Sequence, residues 1–416
     1  MKNNFTPTLP SNRIQLLDVL RGFAIFGILM VNMQIMNAPL VSMISGLKLW
    51  SGMANDLSGG FIRLFFESKF YVIFSLLFGY GFWLFMNKRL PEGRSINGVY
   101  LRRVFFLLLF GIAHVVLLWP GDILVIYAIF GFLLLLFRKT PNRKLIRWAL
   151  AFMLIPIVVS GILAFFVWLA GFHPEAKTAM EAGFAEGSKQ ITALADKALR
   201  VYPEGSFREI VQMRLEEYRM VMHGFIFFYP NVLAMFLLGL YGARKGYLQD
   251  TVKHYLFFRK TLLWGLIIGL PLNLLNTLVF MPGQVSTQPS FFTFMTTIAS
   301  GFGGLALSLA YVAGIVLLLN AGYLKTFAKW LAPVGRMALT NYLTHSILAN
   351  ILFMSFGFAL YGKVNIWSGI LITLAIFILQ IAFSKFWLKY FHFGPFEWLW
   401  RSLTYLQWQP MRKHVE

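Results

Sequence analysis

The sequence contains no cysteine, and this absence excludes several kinds of site. Without cysteine the chain cannot form disulfides, thiolate nucleophiles or thiolate-ligated metal centres. Its seven histidines are scattered, with no spacing typical of metal ligands, and neither a phosphate-binding glycine loop nor a serine-nucleophile motif is present. We therefore expect no metal site and no firmly bound cofactor, so any chemistry must rest on other side chains.

Charged residues are also scarce. They make up 13% of the chain, whereas 58% is hydrophobic and the mean hydropathy is +0.68. Apolar runs of about 20 residues, the length of a membrane-crossing helix, recur along all 416 residues. The sequence thus predicts an all-α fold, a polytopic membrane helix bundle that forms a single integral membrane domain over residues 1–416.

Acidic residues are few, 16 against 37 Lys and Arg, which gives a net charge of +21. Such an excess can indicate nucleic-acid binding, but here the basic residues stand in short clusters between apolar runs, as in cytoplasmic loops of membrane proteins. We therefore expect membrane lipid and no nucleic acid as partner. The first apolar run is long and no small-residue cleavage pattern follows it, so we expect no cleaved signal.

About ten crossing helices are predicted, with both termini in the cytoplasm. The basic loops 87–103 and 138–147 and an interfacial tail, 388–416, are expected on the cytoplasmic side. Residues 172–222 are predicted to form an extracytoplasmic loop with an amphipathic helix, and residues 38–60 an outer loop. The predicted helices are Leu16–Asn37, Phe61–Met86, two helices within 102–131, Trp148–Gly171, Gly224–Ala243, Thr261–Met281, Phe294–Asn320, Met337–Phe356 and Ile366–Trp387.

The hairpin at residues 102–131 carries the first candidate site. His114 lies inside one apolar run, and Asp122 opens the next after the tight break Pro120-Gly121. Ionisable groups are costly in lipid unless they have partners or a function. We predict that His114 is the catalytic or coupling residue, oriented by Asp122. Two structural alternatives stay open: a His114 that is only hydrogen-bonded to a neighbouring Ser or carbonyl, and an Asp122 that serves as the N-cap of the second helix.

Helix 1 carries a second polar set. Asp18 and Arg21 share one helix face near the inner membrane surface, where they anchor the helix or bind a substrate or donor. Asn32 follows Arg21 by 11 residues, about 16 Å along the helix, in the outer half. We predict that Asn32 shapes the site of His114, for example by binding a developing oxyanion, or else bonds a neighbouring helix.

Four further residues are predicted to bind substrate or donor. On helix 2, Glu67 can pair with Arg63, which leaves Lys69 to meet a phosphate, a carboxylate or Asp122. Near the end of the chain, Asn341 and His345 lie four residues apart on one helix face. Arg336 precedes them at the predicted inner end, where it suits a headgroup or carboxylate. Glu397 and Arg401 are expected to pair on an interfacial helix.

Five sequence blocks stand out along the chain: LDVLRGFAIFGILMVN, KFYVIFSLLFGYG, GIAHVVLLWPGDIL, GRMALTNYL and FGPFEWLWRSLTY. In this order, and over essentially the whole chain, they resemble blocks of the YeiB-like family of bacterial membrane proteins. This resemblance implies a multi-pass protein of the bacterial cytoplasmic (inner) membrane.

The opening block is also similar, more distantly, to that of transmembrane acyltransferases. In the sugar O-acyltransferases an arginine is followed, after ten residues, by an essential histidine. Here Arg21 matches, and Asn32 stands at the histidine position. The resemblance implies acyl transfer from acetyl-CoA or another donor. Another base must then replace the missing histidine, and His114 is the nearest substitute in membrane depth.

Three functions remain open at this point. The first is an acyltransferase that moves an acyl group to an envelope glycan, lipid or small molecule. The second is a transporter of a small or amphipathic solute, which broken helices or inverted repeats would favour. The third is a non-catalytic membrane partner that binds another protein through its outer loop. A homodimer is compatible with all three.

Overall fold

We describe the protein from a computed structural model, which covers residues 14–45, 47–88, 95–280 and 289–413. Within these residues every regular element is a helix, apart from one isolated antiparallel bridge between Phe391 and Arg412. The prediction of an all-α fold is confirmed. Residues 1–13, residues 89–94 of the predicted basic loop 87–103, and the last three residues of the predicted tail lie outside the described ranges.

The helices follow one another with short connections, and a 3-10 turn (Leu135–Phe137) and a π-helical turn (Ala299–Gly303) extend two of them. In chain order they are α1 (Gln15–Met36), α2 (Ser42–Ser45), α3 (Met53–Phe65), α4 (Phe70–Met86), α5 (Ile96–Leu117), α6 (Leu124–Leu134), α7 (Asn142–Ala170), α8 (Pro174–Glu204), α9 (Phe207–Phe225), α10 (Pro230–Lys245), α11 (Tyr255–Phe280), α12 (Phe291–Ile298), α13 (Gly304–Asn320), α14 (Lys325–Arg336), α15 (Ala338–Phe353), α16 (Ile366–Tyr390) and α17 (Pro395–Tyr405).

Seven described helical segments are long and apolar enough to cross a membrane. They correspond to seven of the ten predicted crossings, so the prediction of a multi-pass membrane bundle is confirmed. The other three predicted crossings are the shorter helices α6, α10 and α15, with 11, 16 and 16 residues. The seven segments are Gln15–Met36, Met53–Met86, Ile96–Leu117, Asn142–Ala170, Tyr255–Leu278, Phe291–Asn320 and Ile366–Tyr390.

Two predicted helices are interrupted. The helix predicted over Phe61–Met86 corresponds to one membrane-length segment, Met53–Met86, but the chain breaks within it, between α3 and α4, at Ser68, whose φ of 66° is left-handed. The helix predicted over Phe294–Asn320 contains the π-helical turn, which packs against α11. Such turns insert one extra residue into a helix and are frequent at functional sites. The outer loop predicted at residues 38–60 is also partly helical, since α2 and the start of α3 lie within it.

Residues 172–222, predicted as a loop with an amphipathic helix, fold into the long helices α8 and α9, which we call the cap. The two helices pack on each other, and Lys197 on α8 pairs with Glu216 on α9 at 2.6 Å. Ser206 and Glu209 form a capping box that starts α9. Helix α9 also packs against α5, so the cap rests directly on the hairpin that carries His114.

Helix α1 lies at the centre of the bundle, where it contacts α4, α14, α15 and α16. Its closest approach is to α14. A Cβ at Gly22 would overlap the Leu331 carbonyl, and a Cβ at Gly335 would overlap the Asp18 carbonyl. Small residues allow membrane helices to approach this closely. Gly22 and Gly335 therefore allow the close contact between α1 and α14.

Candidate functional site

The α5–α6 hairpin holds the centre of the site. The end of α5 is tight, because the backbone N–H groups of Leu118 and Trp119 both donate to the His114 carbonyl, at 2.9 and 2.8 Å. The Trp119 ring then folds over Gly121, where any Cβ would overlap the indole. The Pro120-Gly121 break therefore brings the residue after it back toward the last turn of α5.

His114 and Asp122 meet across this turn, as the sequence predicts. His114 Nδ1 lies 2.9 Å from Asp122 Oδ1, and both side chains are buried. The angle between them is poor for a hydrogen bond, but neither atom has a hydrogen-bond partner elsewhere in the described chain. Asp122 Oδ2 accepts the backbone N–H of Val125 at 2.7 Å, in the first turn of α6. Asp122 thus both holds the start of α6 and faces the imidazole.

The other nitrogen of His114 contacts a residue that was not predicted. His114 Nε2 lies 2.8 Å from the hydroxyl of Ser346, which is 232 residues away on α15. Ser346 is 0% exposed and His114 is 1% exposed. The three side chains stand in the order Ser346, His114, Asp122, with one imidazole nitrogen toward each neighbour. This is the order of the side chains in a serine–histidine–aspartate catalytic triad, and we refer to the three residues below as the triad.

Aromatic and amide side chains enclose the triad. The rings of Tyr342 and Trp119 have centroids 5.2 and 6.4 Å from that of His114. One turn beyond Ser346, the Asn350 amide donates to the carbonyls of Ser346 at 2.6 Å and of Leu118 at 2.8 Å. Asn350 thereby connects α15, which carries Ser346, to the end of α5, which carries His114.

Asn32, Asp18 and Arg21 lie on α1 away from these contacts. Asn32 is half-buried and forms no side-chain hydrogen bond with any described residue, so nothing joins it to His114 or Asp122. Arg21 pairs with the buried Asp18 at 3.2 Å, as the sequence predicts. The predicted link between Asn32 and the imidazole has no support in the described contacts.

Lys69 lies at the break between α3 and α4. It is buried, and its Nζ donates to the Arg63 carbonyl at 2.7 Å, with no described ion pair to Asp122. Arg63 pairs with Glu67 at 3.4 Å, as predicted. The backbone carbonyl of Lys69 accepts the hydroxyl of Ser308, which joins the break to α13.

Asn341, His345 and Arg336 belong to the seam between α14, α15 and α16. Asn341 Nδ2 donates to the Val334 carbonyl and to the Ser384 hydroxyl, both at 3.1 Å. His345 Nε2 lies 2.9 Å from the Gln380 amide oxygen. Asn341 and His345 thus share a face, as predicted, but it is turned to α16 and not to His114. Arg336 donates to the His392 carbonyl at 3.3 Å.

Three charged residues make buried contacts that the sequence did not indicate. Arg214 and Glu217, both in the cap helix α9, are buried against the bundle, and burial raises the pKa of Glu217 to about 7. Glu397 on α17 accepts the N–H groups of Leu339 and Thr340 at 2.6 and 3.0 Å, so it caps the start of α15. Burial also raises the pKa of Glu397.

The described residues contain no cluster of three or more histidine, aspartate or glutamate side chains that could hold a metal ion. What the triad offers is proton transfer. A histidine between a hydroxyl and a carboxylate can accept the hydroxyl proton while the carboxylate fixes the tautomer and stabilises the imidazolium.

Comparisons with known proteins give a relationship over the full length. The chain is 34% identical to "Uncharacterized protein YxaH" of Bacillus subtilis (strain 168), over 100% of both chains. It is 26% identical to "Uncharacterized protein YeiB" of Escherichia coli (strain K12), over 93% of this chain and 95% of that protein. Residues 242–407 match a family profile described as "Protein of unknown function (DUF418)". No solved structure matches.

Proposed function

The chain belongs to the YeiB-like family of integral membrane proteins, and on that premise we propose that it is a membrane-embedded acyltransferase that uses Ser346 as its nucleophile. The observation that carries the proposal is the triad. Ser346 Oγ lies 2.8 Å from His114 Nε2, and His114 Nδ1 lies 2.9 Å from Asp122 Oδ1. The distant resemblance of the opening block to transmembrane acyltransferases supports the same reaction.

The reaction divides into two steps. In the first, His114 Nε2 takes the proton of Ser346 as Oγ attacks the carbonyl carbon of the acyl donor, and the protonated imidazole returns the proton to the leaving group. In the second, His114 removes a proton from the acceptor hydroxyl or amine, which attacks the acyl–serine, and the imidazolium returns this proton to Ser346 Oγ as it leaves. Asp122 faces the imidazole during both steps.

Burial favours transfer over hydrolysis. Ser346 is fully buried, and Trp119 and Tyr342 flank His114, so bulk water has little access to an acyl–serine. Excluding water prevents loss of a reactive intermediate. The donor in this proposal is an activated acyl ester such as acetyl-CoA, and the acceptor is an envelope glycan, a lipid or a small molecule.

A serine-directed fluorophosphonate probe tests the nucleophile without knowledge of the substrate. We expect purified full-length protein in lipid nanodiscs to be labelled at Ser346, and expect labelling to be lost in Ser346→Ala and strongly reduced in His114→Ala. Ser384→Ala is the matched control, because Ser384 is also buried but bonds only to Asn341 among the described side chains. Labelling that persists in Ser346→Ala, or its absence from folded wild-type protein, would contradict the proposal.

A transporter of a small or amphipathic solute is the second candidate. The observation that favours it is the pair of interrupted helices, at Ser68 and at the π-helical turn Ala299–Gly303, because transporters build binding sites from broken helices. Lys69 lies buried at the first of them. Solute uptake into sealed liposomes containing Ser346→Ala protein would support transport over acyl transfer.

The proposal includes an orientation in the bacterial cytoplasmic membrane. Both termini and the basic loops 87–103 and 138–147 lie inside, and the cap lies outside, according to the distribution of basic residues. A single introduced cysteine tests this cleanly, because the chain has none of its own. We expect Gln190→Cys on α8 to react with an impermeant maleimide in intact spheroplasts, and reaction only after lysis would reverse the orientation.

A further inference from the structure

A group of arginines lies toward the end of α5 that is remote from the triad. Arg103 precedes His114 by 11 residues, about 16 Å along the helix. Its ionisable neighbours include two further guanidiniums, those of Arg21 on α1 and Arg401 on α17. We call Arg21, Arg103 and Arg401 the arginine cluster. It is separate from the triad, and the proposed orientation places it near the cytoplasmic surface of the membrane.

Arg103 is the unusual member of the arginine cluster. Its side chain is half-buried, and its guanidinium carbon lies 3.6 Å from the centre of the Trp400 ring and 5.6 Å from that of Phe85. The Trp400 indole N–H donates to the Arg103 backbone carbonyl at 2.8 Å, which fixes the ring beside α5. Within the part of the chain that the structure describes, the Arg103 guanidinium donates no hydrogen bond and forms no ion pair.

The stack on Trp400 leaves the donors of Arg103 available. The ring attracts the flat face of the guanidinium, whereas the five N–H groups point outward in the plane of the guanidinium. That planar edge matches two oxygens of one oxyanion. Because the stack already restricts the side chain, an anion that binds at the edge costs little further side-chain entropy. Arg103 is therefore positioned to bind an oxyanion from one side.

The charges around Arg103 favour a phosphate as that oxyanion. Arg21 pairs with Asp18 at 3.2 Å, but no described carboxylate lies within ion-pair distance of Arg103. Like charges held together repel one another, and an anion among them relieves this repulsion. Several guanidiniums attract a phosphate that carries two charges more strongly than a carboxylate that carries one. Arginine is also the side chain that most often binds phosphate in a bidentate manner.

We propose that the arginine cluster binds the phosphate group of a ligand at the cytoplasmic membrane surface, with Arg103 as its main partner. This site goes beyond acyl transfer and does not depend on it. Two sources can supply the same chemistry: the headgroup of an anionic phospholipid and a water-soluble phosphate. The half-buried position of all three arginines gives a ligand access from the interface.

Two pairs of probes test the phosphate and distinguish its sources. Pyrophosphate is compared with acetate, and dihexanoylphosphatidic acid with the zwitterionic dihexanoylphosphatidylcholine. Each is titrated at pH 7.5 into full-length protein in phosphatidylcholine nanodiscs, and the heat measured with empty nanodiscs is subtracted. We expect at least one phosphate probe to bind saturably and at least about ten-fold more tightly than its control.

The two pairs give distinct outcomes. Tight binding of pyrophosphate alone supports a water-soluble ligand, tight binding of phosphatidic acid alone supports a lipid headgroup, and tight binding of both supports a phosphate site open to either. If neither phosphate probe binds more tightly than its control, the proposal is overturned.

Variants then locate the site. Arg103→Gln should lose affinity for the bound phosphate probe by about ten-fold or more, and Arg103→Lys by about three-fold or more, because lysine keeps the charge without the planar edge. Arg102→Gln is the matched control, since it removes the same charge from the neighbouring residue, whose Nε donates to the Thr404 carbonyl at 3.2 Å. It should stay within about three-fold of wild type.

Equal losses in Arg102→Gln and Arg103→Gln would show only a general attraction to basic residues and would overturn the proposal. If Arg103→Gln fails to fold, Arg103→Lys and the probe comparison on wild-type protein still decide the question. Labelling of Ser346 by the fluorophosphonate probe should be unchanged in Arg103→Lys, so that failure of the phosphate site and failure of the acyltransferase proposal are distinguishable.

Discussion

Two buried titratable side chains, His114 and Lys69, each lie beside an interruption in a membrane helix, but their partners differ in kind. Lys69 follows the break between α3 and α4, and its Nζ donates to the Arg63 carbonyl. His114 lies in the last turn of α5 and faces a hydroxyl on one side and a carboxylate on the other. Both groups are equally hidden from solvent, at 1% exposure.

The difference lies in what the partners can do. A backbone carbonyl can only accept a hydrogen bond, so the bond from Lys69 satisfies part of a buried ammonium and nothing more. A hydroxyl can give up a proton and become a nucleophile, and a carboxylate can stabilise the imidazolium that results. Burial of a titratable group in a membrane therefore suggests a site, but the chemistry of its partners distinguishes a catalytic arrangement from a structural one.

The largest expected effect is on the nucleophile and its base. In an acyl-transfer assay with labelled acetyl-CoA and envelope extract, we expect Ser346→Ala and His114→Ala each to lower the rate by at least about 10³-fold, as for other triads. Neither change should alter expression or monodispersity. A His114→Ala protein that retains the wild-type rate would show that His114, like Lys69, has only a structural role.

Asp122→Asn should give the next largest loss, about 10² to 10⁴-fold in rate, because the amide would hold the imidazole in the wrong tautomer. The amide oxygen can still accept the Val125 N–H, so α6 should keep its start. The thermal unfolding temperature serves as the control. A large drop in unfolding temperature with a nearly normal rate would instead identify Asp122 as only a helix cap.

Glu217 extends the comparison to an acid whose described partners are all donors. Its folded pKa of about 7 lies above the ordinary 4.5, so the folded state binds the extra proton between these values, and stability falls as pH rises through that window. The free energy of unfolding falls by about 3 kcal/mol across this pH window. We expect Glu217→Gln to match wild type in unfolding temperature at pH 5 and to exceed it at pH 8. Parallel pH profiles for the two proteins would contradict this reading of Glu217.

The smallest expected effect is that of Lys69→Met. The thioether fills a similar volume without a buried charge, and such replacements are often neutral or stabilising. We expect a rate within about three-fold of wild type and an unfolding free energy within about 1 kcal/mol. A rate loss comparable to that of His114→Ala would place Lys69 in the chemistry and would favour the transport alternative.

The sequence predicts those features of the fold and the site that arise from residues close together along the chain. Apolar runs locate the membrane helices, and the short Pro120-Gly121 break was enough to bring His114 and Asp122 together. Ser346 could not be found in this way, because its contact with His114 spans 232 residues and depends on how α15 packs against α5. Its only local signal is a hydroxyl next to His345 inside an apolar helix, which must find a partner somewhere.

Other features could not be predicted from the sequence, because the depth of a residue in the membrane does not determine which neighbouring helix its side chain faces. Asn32 was placed by its distance along α1, but a helix presents residues of similar depth to different neighbours. The break at Ser68 lies in the polar stretch Glu67-Ser68-Lys69, but a single left-handed residue cannot be predicted from polarity alone. Residues 172–222 looked like one surface helix, whereas charged Arg214 and Glu217 are in fact buried against the bundle.

The contact of Glu397 with α15 has a consequence for biosynthesis. The chain is synthesised from its N-terminus to its C-terminus, so α5 and α6 leave the ribosome long before α15, and α17 emerges nearly last. Until residue 397 is made, the first N–H groups of α15 lack their acceptor. Helix α15, which carries Ser346, therefore gains its Glu397 cap only when synthesis is almost complete. A chain that ends before Pro395 contains Ser346, His114 and Asp122 but lacks the helix that caps α15.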